Sequence, residues 1–236
     1  AFCSRTEVGL YQVAGTLSSV LALGTFAFQQ AWAPFALSIA KDNMAKNVIA
    51  MVTEVFIVGG LAIAFLFCAF ASEALRVFTN AKYLGARYVV GLLAINVIAL
   101  GVPQILASAF TLAKKNGPFA RAMVVGAVFT TGLFVLLVPR WGKEGAALAV
   151  LLGNVLVPVY LFVLAQKVYP LPLAFGRLAR NTALVAGFIA VALYIDRTRP
   201  FGPVLVAMKI ALALALIALL IALYRGRVAR ALRREA

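Results

Sequence analysis

Histidine is absent from the 236 residues, and aspartate and glutamate together number only seven. The first absence removes imidazole acid–base chemistry and His-ligated zinc, and the second removes most carboxylate-rich metal sites. A hydrolytic enzyme is therefore excluded as a first reading, and no catalytic residue, metal or cofactor is expected. Cysteine is scarce too: Cys3 and Cys68 are too far apart in sequence for a CxxC motif or a disulfide framework, and both read as inert small hydrophobes. Charged residues of both signs make up 12% of the chain, against about 25% in a soluble domain.

What fills the space is apolar. Hydrophobic residues reach 64%, where a soluble domain has about 45–50%. At roughly 20 residues per crossing of the hydrocarbon core, this supplies about seven spans and leaves little for a soluble domain. The net charge of +15 then points to loops facing lipid phosphates and cytoplasm. Without aromatic residues interleaved among the basic ones of the tail, nucleic acid is not an expected partner. The chain opens on Ala1 and shows no short basic-then-apolar leader with a small-residue cleavage site, so it reads as a piece of something longer.

Apolar runs between charged or Pro/Gly-rich breaks place spans near 9–40, 48–71, 88–113, 122–138, 145–166, 182–195 and 204–224. The sixth is short unless it borrows from 171–181. The whole chain, 1–236, is thus expected to be one all-α transmembrane bundle with a basic tail over 225–236. With seven crossings the loops alternate sides, and Lys and Arg divide as eight on the side of the N-terminus and thirteen on the side of the C-terminus, with Lys209 inside the last span. The positive-inside rule puts the N-terminus outside and the C-terminus in the cytoplasm.

Polar residues within hydrocarbon are costly and mark where function is to be sought. With Gln12 at 0° and about 100° per residue, Thr16, Ser19, Gln30 and Lys41 fall at about 40°, 340°, 0° and 20°. They form one narrow stripe along the first span, either a water-filled path or contacts to adjacent helices, with Gln29 off the stripe and turned to a neighbour. This span is also too long for the bilayer, and Pro34 offers a bend beside the carbonyl of Gln30. Glu54 is the only carboxylate in a predicted span. It is either a proton or cation coupling site or an interface carboxylate paired with Lys46 or Lys41. The third span combines Asn96, Pro103, Gln104, Ser108 and Thr111 in a second kinked, one-sidedly polar helix. In the fifth, Gly145, Ala149 and Gly153 form a small-residue packing edge beside Asn154, which reads as an interhelical hydrogen bond. The last two spans, nearly all Ala, Leu and Val, are expected at the lipid periphery, with Lys209 snorkelling to the outer surface.

Four runs carry a family resemblance. The runs Glu7-Val-Gly-Leu-Tyr-Gln-Val-Ala14 and Phe28-Gln-Gln-Ala-Trp-Ala-Pro-Phe35 resemble the opening of the C-terminal half of polysaccharide flippases, which belong to the multidrug/oligosaccharidyl-lipid/polysaccharide exporter superfamily. Val138-Pro-Arg-Trp-Gly-Lys-Glu-Gly-Ala-Ala147 is similar to that family's proline, glycine, Gly-Ala-Ala helix junction, and Tyr83-Leu-Gly-Ala-Arg-Tyr88 to its tyrosine-led external loop. The likeness covers roughly residues 5–170; the last two helices match in hydropathy alone. It implies a two-lobed carrier of twelve or fourteen helices in the bacterial cytoplasmic membrane, with this chain as helices eight to fourteen. Such carriers move undecaprenyl-diphosphate-linked oligosaccharides, for O-antigen in lipopolysaccharide, capsule or exopolysaccharide, to the outer leaflet by alternating access. Implied partners are the lipid-linked oligosaccharide, membrane lipids, a missing N-terminal lobe, and polysaccharide polymerase or export machinery. Relatives often place a basic residue where this chain has Ala14 and Gly15, so Arg5 and the other lobe become the expected pyrophosphate donors.

Three rivals remain open at this stage. A cation-coupled multidrug exporter of the same superfamily would rest on Glu54. A membrane enzyme of lipid-linked sugar metabolism lacks clustered aspartates, and a retinal protein built on Lys209 would need a counter-ion.

Overall fold

The computed structural model describes residues 4–42, 44–198 and 201–232. It consists of helices α1 (Arg5–Ser38), α2 (Ala45–Ala69), α3 (Ala71–Phe78), a 3-10 turn (Ala81–Ala86), α4 (Arg87–Leu112), α5 (Gly117–Val168), α6 (Phe175–Thr198) and α7 (Pro203–Leu232), with no strand among the described residues. The protein is an all-α polytopic bundle in which, among the described residues, six helices are long and apolar enough to cross a membrane.

The longest of them holds two crossings. At 52 residues α5 would measure about 78 Å as a straight rod, more than twice the hydrocarbon thickness. Its backbone breaks at Gly142, where φ is 52° and ψ −128°, a conformation open to glycine. A Cβ on Gly126 would meet Val157, one on Gly153 would meet Thr130, and one on Gly145 would meet the Leu137 carbonyl. These pairs lie evenly on either side of Trp141 and Gly142, so the two arms run antiparallel as a tight hairpin. They are the predicted fourth and fifth spans. Gly145, Ala149 and Gly153 are buried, as their spacing suggested.

Local sequence explains the other ends. Ser4 and Glu7 form a capping box, Ser4 Oγ accepting from Glu7 N at 3.2 Å and Glu7 Oε2 from Ser4 N at 3.1 Å. α4 closes on Lys114 in the left-handed region at φ 55°, with Lys115 N donating to Phe110 O and Lys114 N to Thr111 O, the paired bonds of a Schellman motif. Pro170 and Pro172 keep the 169–174 link out of helix.

Two boundaries differ from the hydropathy reading. α6 begins at Phe175 and ends at Thr198, longer at both ends than 182–195, and so carries Asp196 within a helix. α3 is a short amphipathic helix where a loop was expected: Ala71, Ser72 and Leu75 face inward and the exposed side chains of Val77 and Phe78 outward.

α4 is the central helix, walled by α1, α2 and α5. Its buried residues include Val90, Ala94, Ile98, Ile105, Ala109 and Phe110. α6 and α7 pack on the far side of α2. α7 buries Leu205, Lys209, Ala213 and Leu216 along one line and turns Val204, Leu214 and Ile221 outward, in keeping with a peripheral position. Alternating crossings give the bundle two faces. The start of α1, α3, the 3-10 turn, Gly142 and the α6–α7 link share the first face; the α1–α2, α4–α5 and α5–α6 links and the end of α7 share the second. Cys68 is buried in α2, whereas Cys3, Arg199, Arg233 and Arg234 lie outside the described residues.

Candidate functional site

α1 meets α4 through Ala14, Ser18, Leu21, Thr25, Trp32 and Ala36, and Ser18 Oγ donates to Val90 O at 3.2 Å. The opposite face is open. Gln12, Thr16, Ser19 and Gln30 are all exposed, and so is Arg5, which falls at about 20° on the same wheel. Thr16 Oγ1 donates to Gln12 O at 3.1 Å and Ser19 Oγ to Thr16 O at 2.7 Å, both within α1. Among the described residues none of the four bonds to another helix, so interhelical contact does not account for them. Gln29 is half-buried.

The stripe is not polar from end to end. Leu23 and Phe26, 70% and 60% exposed, occupy the same face between Ser19 and Gln30. A wheel read only for its polar members missed them. The face therefore has a polar segment toward each membrane surface, from Arg5 to Ser19 and around Gln30, separated by an apolar collar. α1 and α4 run through Pro34 and Pro103 as single helices, Pro34 exposed and Pro103 buried. On α4, Gln104 and Thr111 are exposed and Ser108 is half-buried, whereas Asn96 is buried and accepts from Asn154 Nδ2 at 2.8 Å, the interhelical bond expected of Asn154.

Glu54 has other partners than Lys46 or Lys41. Its buried carboxylate accepts from Arg177 Nε at 3.0 Å and from Tyr224 Oη at 3.2 Å, and Asn181 Nδ2 donates to the same phenol oxygen at 3.4 Å. The earlier start of α6 is the reason, since it puts Arg177 on the helix beside α2. Lys46 instead lies 5.0 Å over the Tyr169 ring.

Lys209 does not snorkel. It is fully buried, with Nζ 2.8 and 3.0 Å from the Glu73 carboxylate oxygens and 2.5 Å from Asp196 Oδ1. Ser72 Oγ donates to Asp196 Oδ2 at 3.0 Å, and Arg87 stands 3.6 Å from that oxygen. α3 and the longer α6 supply partners that hydropathy did not foresee. Lys209 thus has counter-ions, and it is not among the residues that line the groove between α2, α4, α5 and α6. Among the described residues there is no cluster of three or more potential metal-ligating side chains.

Three of the runs that carry the family resemblance meet in space, whereas Phe28 and Trp32 of the fourth pack with Val102, Ile105 and Phe110 of α4. Leu10, Tyr11 and Ala14 of the first, Tyr83, Leu84 and Ala86 of the loop, and Ala147 of the helix junction form one apolar cluster at the first face. Glu7 reaches the break in α5, where a Cβ on Gly142 would collide with its carboxylate. No protein-family model, curated protein or solved structure matches the chain.

Proposed function

We propose that the chain is the C-terminal lobe of a carrier that moves undecaprenyl-diphosphate-linked oligosaccharide from the inner to the outer leaflet of a bacterial cytoplasmic membrane. The carrying observation is the outward polar face of α1. Four polar side chains and Arg5 turned to lipid would be costly, so they need water or a polar partner surface beside them. A second lobe facing α1 supplies both. Polar segments toward each surface, parted by the Leu23–Phe26 collar, suit alternating access, in which a site at a lobe interface opens to one side at a time. Arg5 holds phosphate oxygens at the outer end, and no bond is made or broken. Glu54 as a coupling carboxylate, on which a multidrug exporter would rest, is already held by Arg177 and Tyr224, and this favours the flippase.

Export of surface glycan in a flippase-null strain tests the proposal. The chain expressed alone is expected to insert without restoring glycan, and to restore it when an N-terminal half is supplied as a separate polypeptide. Full complementation by residues 1–236 alone would contradict the two-lobed reading.

A further inference from the structure

The groove bounded by α2, α4, the second arm of α5 and α6 has a volume of about 670 Å³ and lies away from α1, which contributes no residue to it. Its lining is graded. The polar members are Thr53, Gln166 and Thr182, and all three sit in the part nearest the second face, within about 12 Å of the ends of their helices. Beyond them the wall is apolar as far as Leu61 and Ile95, each about 25 Å along its helix from that face. Val155, Val159 and Val163 line the groove and are exposed, so it opens sideways into hydrocarbon. An apolar trough there is filled by a lipid chain, because a void forfeits the dispersion contacts of its lining.

Charge at the mouth sets the headgroup. Lys46 stands two turns before Thr53 on the same line of α2, exposed and held over Tyr169, and Lys167 ends α5 nearby. Among the described residues Lys46 forms no ion pair, and the nearby carboxylate of Glu54 is committed to Arg177. A tyrosine phenol loses its proton only near about 10 and is neutral at physiological pH, so the Tyr169 ring leaves the Lys46 charge uncompensated. The grading from polar to apolar has the orientation of an amphiphile with its anion at the second face.

We infer that the groove holds one acyl chain of an anionic phospholipid, with its phosphate on Lys46. Length separates this occupant from the polyprenyl chain of the transported substrate: the lining ends about 25 Å from the second face, about the reach of one extended acyl chain, whereas an undecaprenyl chain has several times as many carbons and is far longer. The site is independent of the carrier reading and of the α1 face.

Spin-labelled phosphatidylglycerol and phosphatidylcholine, with the nitroxide on the acyl chain, distinguish the alternatives in vesicles containing the full chain. The motionally restricted fraction should favour phosphatidylglycerol about five-fold, the selectivity one cation near the surface confers. Lys46→Gln, at an exposed position, should abolish that preference while chains remain restricted. Val159→Trp or Val163→Trp, each filling the exposed mouth, should reduce restriction of both lipids. Equal restriction of the two lipids by the unaltered chain, selectivity that survives Lys46→Gln, or displacement of the labelled lipid by equimolar undecaprenyl phosphate would overturn the inference.

Discussion

Lys209 Nζ lies 2.5 Å from Asp196 Oδ1, which ties α7 to the end of α6 at one membrane face, and Glu73 of α3 completes the grip at 2.8 Å. At the other face Tyr224 of α7 donates to Glu54 of α2. The α6–α7 pair, apolar between these ends, is thus pinned to the bundle at both of them. Removing one member of a buried pair leaves an uncompensated charge and costs about 3–5 kcal/mol. Lys209→Met is therefore expected to lower resistance to denaturing detergent by about that amount. The triple replacement Lys209→Met, Glu73→Gln, Asp196→Asn should recover most of the loss. A neutral Lys209→Met would show that the network does not hold the pair.

Gly142 supports a second expectation. Alanine there must adopt φ near 52° and also meets the Glu7 carboxylate, so Gly142→Ala should destabilise by about 1–3 kcal/mol. Gly132, in the first arm of α5, faces open space, and Gly132→Ala should stabilise by about 0.5–1 kcal/mol through helix propensity. Thermal unfolding of the two variants should move in opposite directions.

The fold was largely legible because one signal dominates it. Apolar runs of bilayer length coincide with the long apolar helices among the described residues, including the two arms that the structure joins through Gly142. Polar side chains inside helices were placed less well, and for a single reason: hydropathy counts a residue's neighbours in sequence, whereas a buried charge is settled by its neighbours in space. Glu54 and Lys209 each lie where a snorkelling or local partner could be imagined. Arg177, Glu73 and Asp196, their actual partners, sit in segments that hydropathy cut away from the helices. The collar of Leu23 and Phe26 was visible in the sequence and was missed because the wheel was read for polar residues only.

The division of Lys and Arg in the sequence, thirteen against eight, predicts that the second face is cytoplasmic. Asn116 is exposed at the second face, and a side chain at Gly202 would meet open space at the first. In a background with Cys3 and Cys68 replaced by alanine, a cysteine at Asn116 should react with an impermeant maleimide only from the cytoplasm. One at Gly202 should react only from outside. The reverse pattern would invert the topology.

The outward face of α1 is tested most directly by surface glycan measured in the complete carrier at matched protein levels. Thr16→Leu and Gln30→Leu each place an apolar side chain on the polar part of the face without touching α4, and each should reduce glycan export severalfold. Val20→Leu, also exposed but about 80° from Gln12 on the wheel, should leave export near the unaltered level. Equal loss at all three positions, or unchanged export in Thr16→Leu and Gln30→Leu, would contradict a substrate path along α1.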